Sequence, residues 1–99
     1  MSWAKPQVEK LKEGETVKFR PHGHSMQPKI HSGDLVTVSP DIDNLEVGDI
    51  VLCKVHGTYY LHLIKAIEGP RYQIANNHGH INGWCTKNGI YGRVTAVEG

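Results

Sequence analysis

Long apolar runs are absent from this 99-residue sequence, and only 2 cysteines, Cys53 and Cys85, are present. No window approaches the ~20 apolar residues that a membrane-spanning helix requires, and the N-terminus lacks the apolar segment of a secretory signal. Two cysteines without a secretory signal do not indicate a disulfide framework. We therefore expect a cytoplasmic protein with no membrane anchor and no bridge between Cys53 and Cys85.

An excess of charge of one sign is also lacking, since 11 Lys and Arg stand against 10 Asp and Glu. Nucleic-acid binding usually selects a basic face, so this balance does not favour a nucleic-acid partner. Histidine, in contrast, is abundant, with 7 residues. Because histidine titrates near neutral pH, the net charge should rise as the pH falls through that range.

The length fits one domain with a modest core. Residues 1–14 carry only a weak helical pattern around Val8 and Leu11, limited by a proline near its start and a glycine at its end. We expect residues 1–14 to be a partly ordered N-terminal arm. A single β domain is expected to follow over residues 15–99.

Short apolar and alternating segments, typical of strands, recur along the rest of the chain. They cover residues 16–20, 34–39, 49–56, 58–66, 70–75 and 90–97. Residues 76–88 show little apolar periodicity and are predicted to form a loop. Six or so short strands separated by turn signals predict a mainly-β, partly closed sheet.

One serine lies in a turn rich in glycine and proline between the first two predicted strands, within Gly23-His24-Ser25-Met26-Gln27-Pro28. Gly23 allows a ligand to approach the backbone closely, and Pro28 prevents a regular element from continuing. A serine held in this way can expose its hydroxyl and direct its own N–H at a substrate carbonyl. On composition alone, an ordinary turn serine is the commoner explanation.

The segment Ser25-Met26-Gln27-Pro28 resembles the Ser-Met-x-Pro box of type I signal peptidases and the nucleophile segment of LexA-type self-cleaving repressors. Further segments resemble that family in the same order: Gly33-Asp34-Leu35-Val36, Gly48-Asp49-Ile50-Val51, Tyr59 to Lys65, Arg71 to Asn77, and Ile90-Tyr91-Gly92-Arg93-Val94. The resemblance covers about residues 15 to 97. It implies a partly closed antiparallel sheet like that of signal peptidases and the LexA C-terminal domain, with a short or absent N-terminal helix.

The resemblance also implies a catalytic pair, with Ser25 as the nucleophile and His62 at the position of the general base. Most of the family has a lysine there, whereas the archaeal and endoplasmic-reticulum signal peptidases have a histidine. Histidine suits the role because its ordinary pKa of ~6.5 leaves it largely neutral near pH 7. Lys65 is a weaker candidate, since three residues along a strand it faces the opposite side. Without the resemblance, a core-facing or surface strand histidine with a satisfied hydrogen bond is the commoner explanation of His62.

The sequence departs from the family at the groups that support this pair. Histidine-type signal peptidases orient the base with an aspartate, but residues 76–84 contain no carboxylate, so Asn77 and Asn82 are the nearest substitutes. The oxyanion hole would use the Ser25 N–H, while Gly23 stands where signal peptidases often have a hydroxyl. Because the family binds its substrates as an extended strand, the resemblance implies that a peptide adds to strand edges near Met26 and Tyr60. No Ala-Gly or Cys-Gly dipeptide precedes Ser25, so self-cleavage is not expected.

Two histidine pairs, His22/His24 and His78/His80, raise the question of a metal site. Residues i and i+2 of a strand share a face, so each pair is able to chelate zinc or nickel. The spacing matches no structural zinc motif, however, and cysteines bracket neither pair. We therefore expect loop histidines and assign no metal ligands.

The favoured hypothesis is a small soluble serine endopeptidase that cleaves an extended segment of a partner protein with a Ser/His dyad and no cofactor. One alternative is a non-catalytic peptide- or protein-binding module on the same fold. A second alternative is a histidine-rich metal-binding domain. The sequence specifies neither the substrate nor the oligomeric state.

Overall fold

A computed structural model describes residues 3–99 of the chain. Its elements are α1 (Lys5–Lys12), β1 (Val17–Phe19), β2 (Leu35–Ser39), β3 (Ile50–Val55), β4 (Thr58–Glu68), β5 (Arg71–Ala75), β6 (Ile81–Thr86) and β7 (Ile90–Glu98), with one 3-10 turn at Lys87–Gly89. The predicted mainly-β fold is confirmed. The sheet contains 7 strands in the order β1-β2-β7-β3-β4-β5-β6, and every adjacent pair is antiparallel.

The prediction of a loop over residues 76–88 is wrong, because this segment contains strand β6. β6 pairs with β5 from Arg71↔Thr86 to Ala75↔Ile81 and forms one edge of the sheet. Its side chains are half-buried or exposed. An edge strand of this kind is held by backbone pairing on one side, so its sequence carries little apolar alternation.

The segment expected to be a partly ordered arm contains helix α1, whose Val8 and Leu11 are 2% and 4% exposed. Both side chains belong to the core cluster that also includes Val36 and Val38 of β2. Pro6 does not oppose this helix, because a proline is tolerated in the first helical turn, where its missing N–H has no partner to lose. Met1 and Ser2, also part of that segment, lie outside the described residues.

Apolar side chains form two core clusters, and β4 contributes to both. Leu61 belongs to the cluster beneath α1, while Ile64 belongs to the other, with Val51 and Ile74. Successive strand residues point to opposite faces, so residues three apart serve different clusters. Along the strand, His62 lies between Leu61 and Ile64. Among residues 3–99, it is the one buried polar or charged residue.

The strand pairing leaves part of β4 open. β3 pairs with β4 from Thr58 to Leu63, whereas β5 pairs with it only from Leu63 onward. Within the described chain, no strand therefore pairs with the second edge of residues 58–62.

Across residues 3–99, no helix is both long enough and apolar enough to cross a membrane.

Candidate active site

The side chains of Ser25 and His62 meet, although they lie on different kinds of structure. Ser25 belongs to the turn between β1 and β2, and His62 lies in the middle of β4. The Ser25 Oγ is 3.0 Å from the His62 Nε2. This separation is within the hydrogen-bond reach expected between a nucleophile and its base, ~2.6–3.2 Å.

Asn82 of β6 contacts the other side of the imidazole ring. Its Oδ1 lies 2.7 Å from the His62 Nδ1. An amide oxygen only accepts hydrogen bonds, so the His62 Nδ1 carries the proton in this contact. The Nε2 lone pair is then free to accept the Ser25 hydroxyl proton, and the three side chains form a chain of hydrogen bonds from Ser25 to Asn82.

His62 is 8% exposed, and its surroundings favour the neutral ring. Burial lowers the pKa of His62 below its ordinary value of 6.5; the hydrogen bond that His62 donates to Asn82 opposes this effect, and nearby His80 adds to it. A lowered pKa keeps the imidazole unprotonated at neutral pH, the state in which it accepts a proton.

The turn that carries Ser25 is tied to the segment between β5 and β6. The Asn77 N–H donates to the Ser25 carbonyl over 2.9 Å, and the Asn77 side chain donates to the Gln27 carbonyl over 2.9 Å. The His78 Nε2 donates to the His24 carbonyl, also over 2.9 Å. These contacts fix the turn relative to the strands that hold the base. The Gln27–Pro28 peptide bond in the same turn is cis.

A cleft of about 470 Å³ opens beside this pair. Residues 19–23, Ser25, Met26 and residues 59–62 line it, together with Trp3, Gln7, Ile30 and His31. The Tyr60 ring stacks on the His62 ring with 5.0 Å between centroids. The cleft therefore lies between the end of β1 and the open edge of β4, with the Ser25 hydroxyl at its wall.

The other residues singled out from the sequence have distinct positions. Gly23 lines the cleft with a φ of +125°, a backbone angle that favours glycine. Met26 also lines the cleft and is 5% exposed. Of the two asparagines considered as orienting partners, Asn82 contacts His62, whereas Asn77 bonds the Ser25 turn. Lys65 is exposed on β4.

The rings of His24 and His78 form hydrogen bonds with groups other than imidazoles. The His24 Nδ1 accepts from the Gln27 amide at 2.8 Å, and the His78 ring contacts backbone rather than another imidazole. Within residues 3–99, no group of three or more His, Cys, Asp or Glu side chains is arranged to hold a metal ion. The geometry therefore offers no support for the metal-binding hypothesis.

Sequence reasoning missed the wall of the cleft formed by Trp3, Phe19 and Arg20. The Trp3 and Phe19 rings lie 5.9 Å apart, and the Arg20 guanidinium donates to the Gly33 carbonyl over 2.8 Å. Their proximity to Ser25 depends on how β1 and the N-terminal segment pack. No local sequence signal indicates that packing.

The family comparison agrees with the geometry. The family model described as Peptidase S24-like matches residues 2–95 of the sequence. No curated protein is significantly similar to the chain in sequence. Because the match spans nearly the whole chain, including the Ser25 turn, β4 and β6, the chain belongs to the Peptidase S24-like family.

Proposed function

We propose that the chain is a serine endopeptidase that cleaves an extended segment of a partner protein, with Ser25 as nucleophile and His62 as general base. The observation that carries this proposal is the continuous contact from the Ser25 Oγ through the His62 ring to the Asn82 Oδ1. A serine hydroxyl attacks a peptide carbonyl only when a base takes its proton. The burial of His62 and the 3.0 Å contact between its Nε2 and the Ser25 Oγ support this role.

In the proposed reaction, the Ser25 Oγ forms a bond to the substrate carbonyl carbon while its proton passes to the His62 Nε2. The carbonyl oxygen becomes an oxyanion bound by backbone N–H groups near Ser25. His62 then gives the proton to the leaving amine as the C–N bond breaks. Water hydrolyses the resulting Ser25 ester with His62 again acting as base, which restores the free hydroxyl.

Asn82 has a narrower role than the carboxylate of a serine-protease triad. Its Oδ1 accepts from the His62 Nδ1 and so holds the ring in the tautomer that leaves Nε2 basic. A neutral amide does not offset the positive charge that the imidazole acquires during the reaction. The proposed enzyme therefore orients its base well but stabilises the imidazolium only weakly.

The substrate is proposed to bind as an added strand along residues 58–62 of β4, whose second edge has no partner strand in residues 3–99. Backbone groups of an extended peptide pair with such an edge, and side-chain pockets supply specificity. Tyr60 and Met26 line the cleft where that peptide would pass.

Cys53 and Cys85 are free thiols, which suits the proposed cytoplasmic location.

A second candidate function is a non-catalytic peptide-binding module, and the amide at position 82 favours it. A site with the same cleft and strand edge but an unassisted base would bind peptides without cutting them. The two candidates share the proposed binding mode and differ only in the fate of the bound peptide.

The deciding experiment incubates the protein with a library of unstructured peptides and analyses the products by mass spectrometry. We expect cleavage by the native protein and loss of at least about 10⁴-fold in rate for Ser25→Ala. Lys65→Ala, which removes the exposed lysine of the same strand, is the control and should cleave normally. Peptide binding by both native protein and Ser25→Ala, with cleavage by neither, would replace the peptidase proposal with the binding module.

A further inference from the structure

Residues 77 and 78, which follow β5, form hydrogen bonds to the Ser25 turn. These bonds bear on how the site would bind an oxyanion. We propose that Asn77 and His78 are positioning residues that direct two backbone N–H groups, those of Ser25 and Met26, into the cleft as the oxyanion-binding donors. This inference rests on the proposed peptidase function. It assigns the second donor that the glycine at position 23 cannot supply.

Two successive carbonyls, those of His24 and Ser25, accept hydrogen bonds from the same segment. The His24 carbonyl accepts from the His78 Nε2 at 2.9 Å and from the Gln27 N–H of the same turn at 3.3 Å, and the Ser25 carbonyl accepts from the Asn77 N–H at 2.9 Å. The Asn77 side chain adds a bond of 2.9 Å to the Gln27 carbonyl. Residues 77 and 78 therefore hold the peptide planes on both sides of Ser25, with one further bond from Gln27 within the turn.

In a planar trans peptide, the carbonyl and the N–H point in opposite directions. The His24 carbonyl shares its peptide with the Ser25 N–H, and the Ser25 carbonyl shares its peptide with the Met26 N–H. Ser25 and Met26 line the cleft, whereas Asn77 and His78 do not. With the carbonyls turned toward residues 77 and 78, the two N–H groups turn toward the cleft.

The Ser25 and Met26 N–H groups are able to bind an oxyanion only if no other acceptor occupies them. Among residues 3–99, neither the Ser25 N–H nor the Met26 N–H has a hydrogen-bond acceptor. Unpaired donors beside a nucleophile are what a developing oxyanion requires. A carbonyl that accepts a hydrogen bond also polarises its peptide, which strengthens the N–H of the same unit as a donor.

The test measures kcat and KM for His78→Asn on a matched ester and thionoester substrate. Asparagine is too short to reach the His24 carbonyl, so we expect kcat on the ester to fall about 3- to 30-fold with KM nearly unchanged. Sulfur accepts hydrogen bonds weakly, so the thionoester draws less on the oxyanion hole. The ester-to-thionoester rate ratio should therefore fall, which simple loosening of the loop would not cause.

Two further variants sharpen the test. His78→Gln places an amide N–H near the position of Nε2 and should recover most of the lost kcat. His56→Asn is the matched control, because His56 is an exposed histidine whose φ of +50° asparagine tolerates. Its kcat should stay within about two-fold of the native value. A native kcat and an unchanged rate ratio in His78→Asn would overturn the inference.

A spectroscopic readout separates failure of this inference from failure of the proposed function. The ¹³C resonance of the His24 carbonyl should move upfield in His78→Asn and return in His78→Gln, whether or not the protein cleaves peptides. An unmoved resonance would overturn the supporting contact. Absence of any Ser25-dependent hydrolysis, together with a moved resonance, would instead reject the peptidase function on which the oxyanion role depends.

Discussion

The candidate site has a strand half, with His62 and Asn82, and a turn half, with Ser25, and different kinds of contact hold them in place. His62 and Asn82 lie on strands β4 and β6, and His62 is 8% exposed. Ser25 lies in an irregular turn that is held by hydrogen bonds to residues 77 and 78 and by the burial of Met26 and Ile30 in a core cluster. The proposed base is therefore positioned by the pairing of a sheet, whereas the orientation of the proposed nucleophile depends on the contacts of a turn.

This contrast indicates where each property of the site can be changed. Substitutions in the strand half should affect folding and the protonation state of the base together. Substitutions that remove the hydrogen bonds from residues 77 and 78 to the turn should affect the placement of the proposed nucleophile while the fold is kept. Variants in each half would test whether these two kinds of effect are separable.

Removing the base should abolish catalysis without removing the nucleophile. We expect His62→Gln to lower kcat by about 10⁴-fold or more, because glutamine cannot take the Ser25 proton. Glutamine keeps a polar side chain at this buried position, so a melting curve of the variant should retain one cooperative transition. A folded His62→Gln variant that cleaves peptides at the native rate would show that another group is the base.

Stability should distinguish the two halves most clearly when one side chain of each is truncated. Ile64 is fully buried beside His62 on β4, so Ile64→Ala should reduce the free energy of unfolding by about 2–5 kcal/mol. Asn77→Ala removes one side-chain hydrogen bond and should cost only about 0.5–1.5 kcal/mol. Urea denaturation of both variants measures the difference, and equal losses would contradict the comparison.

Asn82 belongs to the strand half of the site and contacts the His62 ring on the side away from Ser25. Asn82→Ala should lower kcat roughly 10- to 150-fold, the value of a hydrogen bond to a charged group. Asn82→Asp should raise the pKa of His62, because a carboxylate favours the protonated ring. The acid limb of its pH–rate profile should therefore lie at higher pH than that of the native protein, and an unmoved limb would exclude Asn82 as the partner of the base.

Much of the fold was predictable because most strands have a buried face. The alternation around Val17 and the apolar runs that became β3 and β4 indicate strands directly, and Gly57 marks the turn between those two. β6 escaped prediction, since an edge strand with half-exposed side chains lacks that pattern. Helix α1 was underestimated because its stability comes from burying Val8 and Leu11 in the core rather than from local propensity.

The candidate site was predictable only in part, and for a related reason. The Ser25 box and the position of His62 within an apolar strand are local features of the sequence. The partner of the imidazole was left open between two asparagines, because the choice depends on the register of β6 against β5. The contacts from residues 77 and 78 to the Ser25 turn are separated by about 50 residues, so sequence spacing carries no sign of them.

The most direct test of the dyad is the rate at which a fluorophosphonate labels Ser25 as a function of pH, with the labelled residue identified by mass spectrometry. Burial lowers the pKa of His62 below 6.5, so the neutral ring should persist at pH 6.5 and the labelling rate should halve only at a lower pH. His62→Gln should label negligibly at every pH, while Lys65→Ala should follow the native curve. Absence of labelling at Ser25 in the folded native protein, or labelling that is indifferent to His62, would contradict the account.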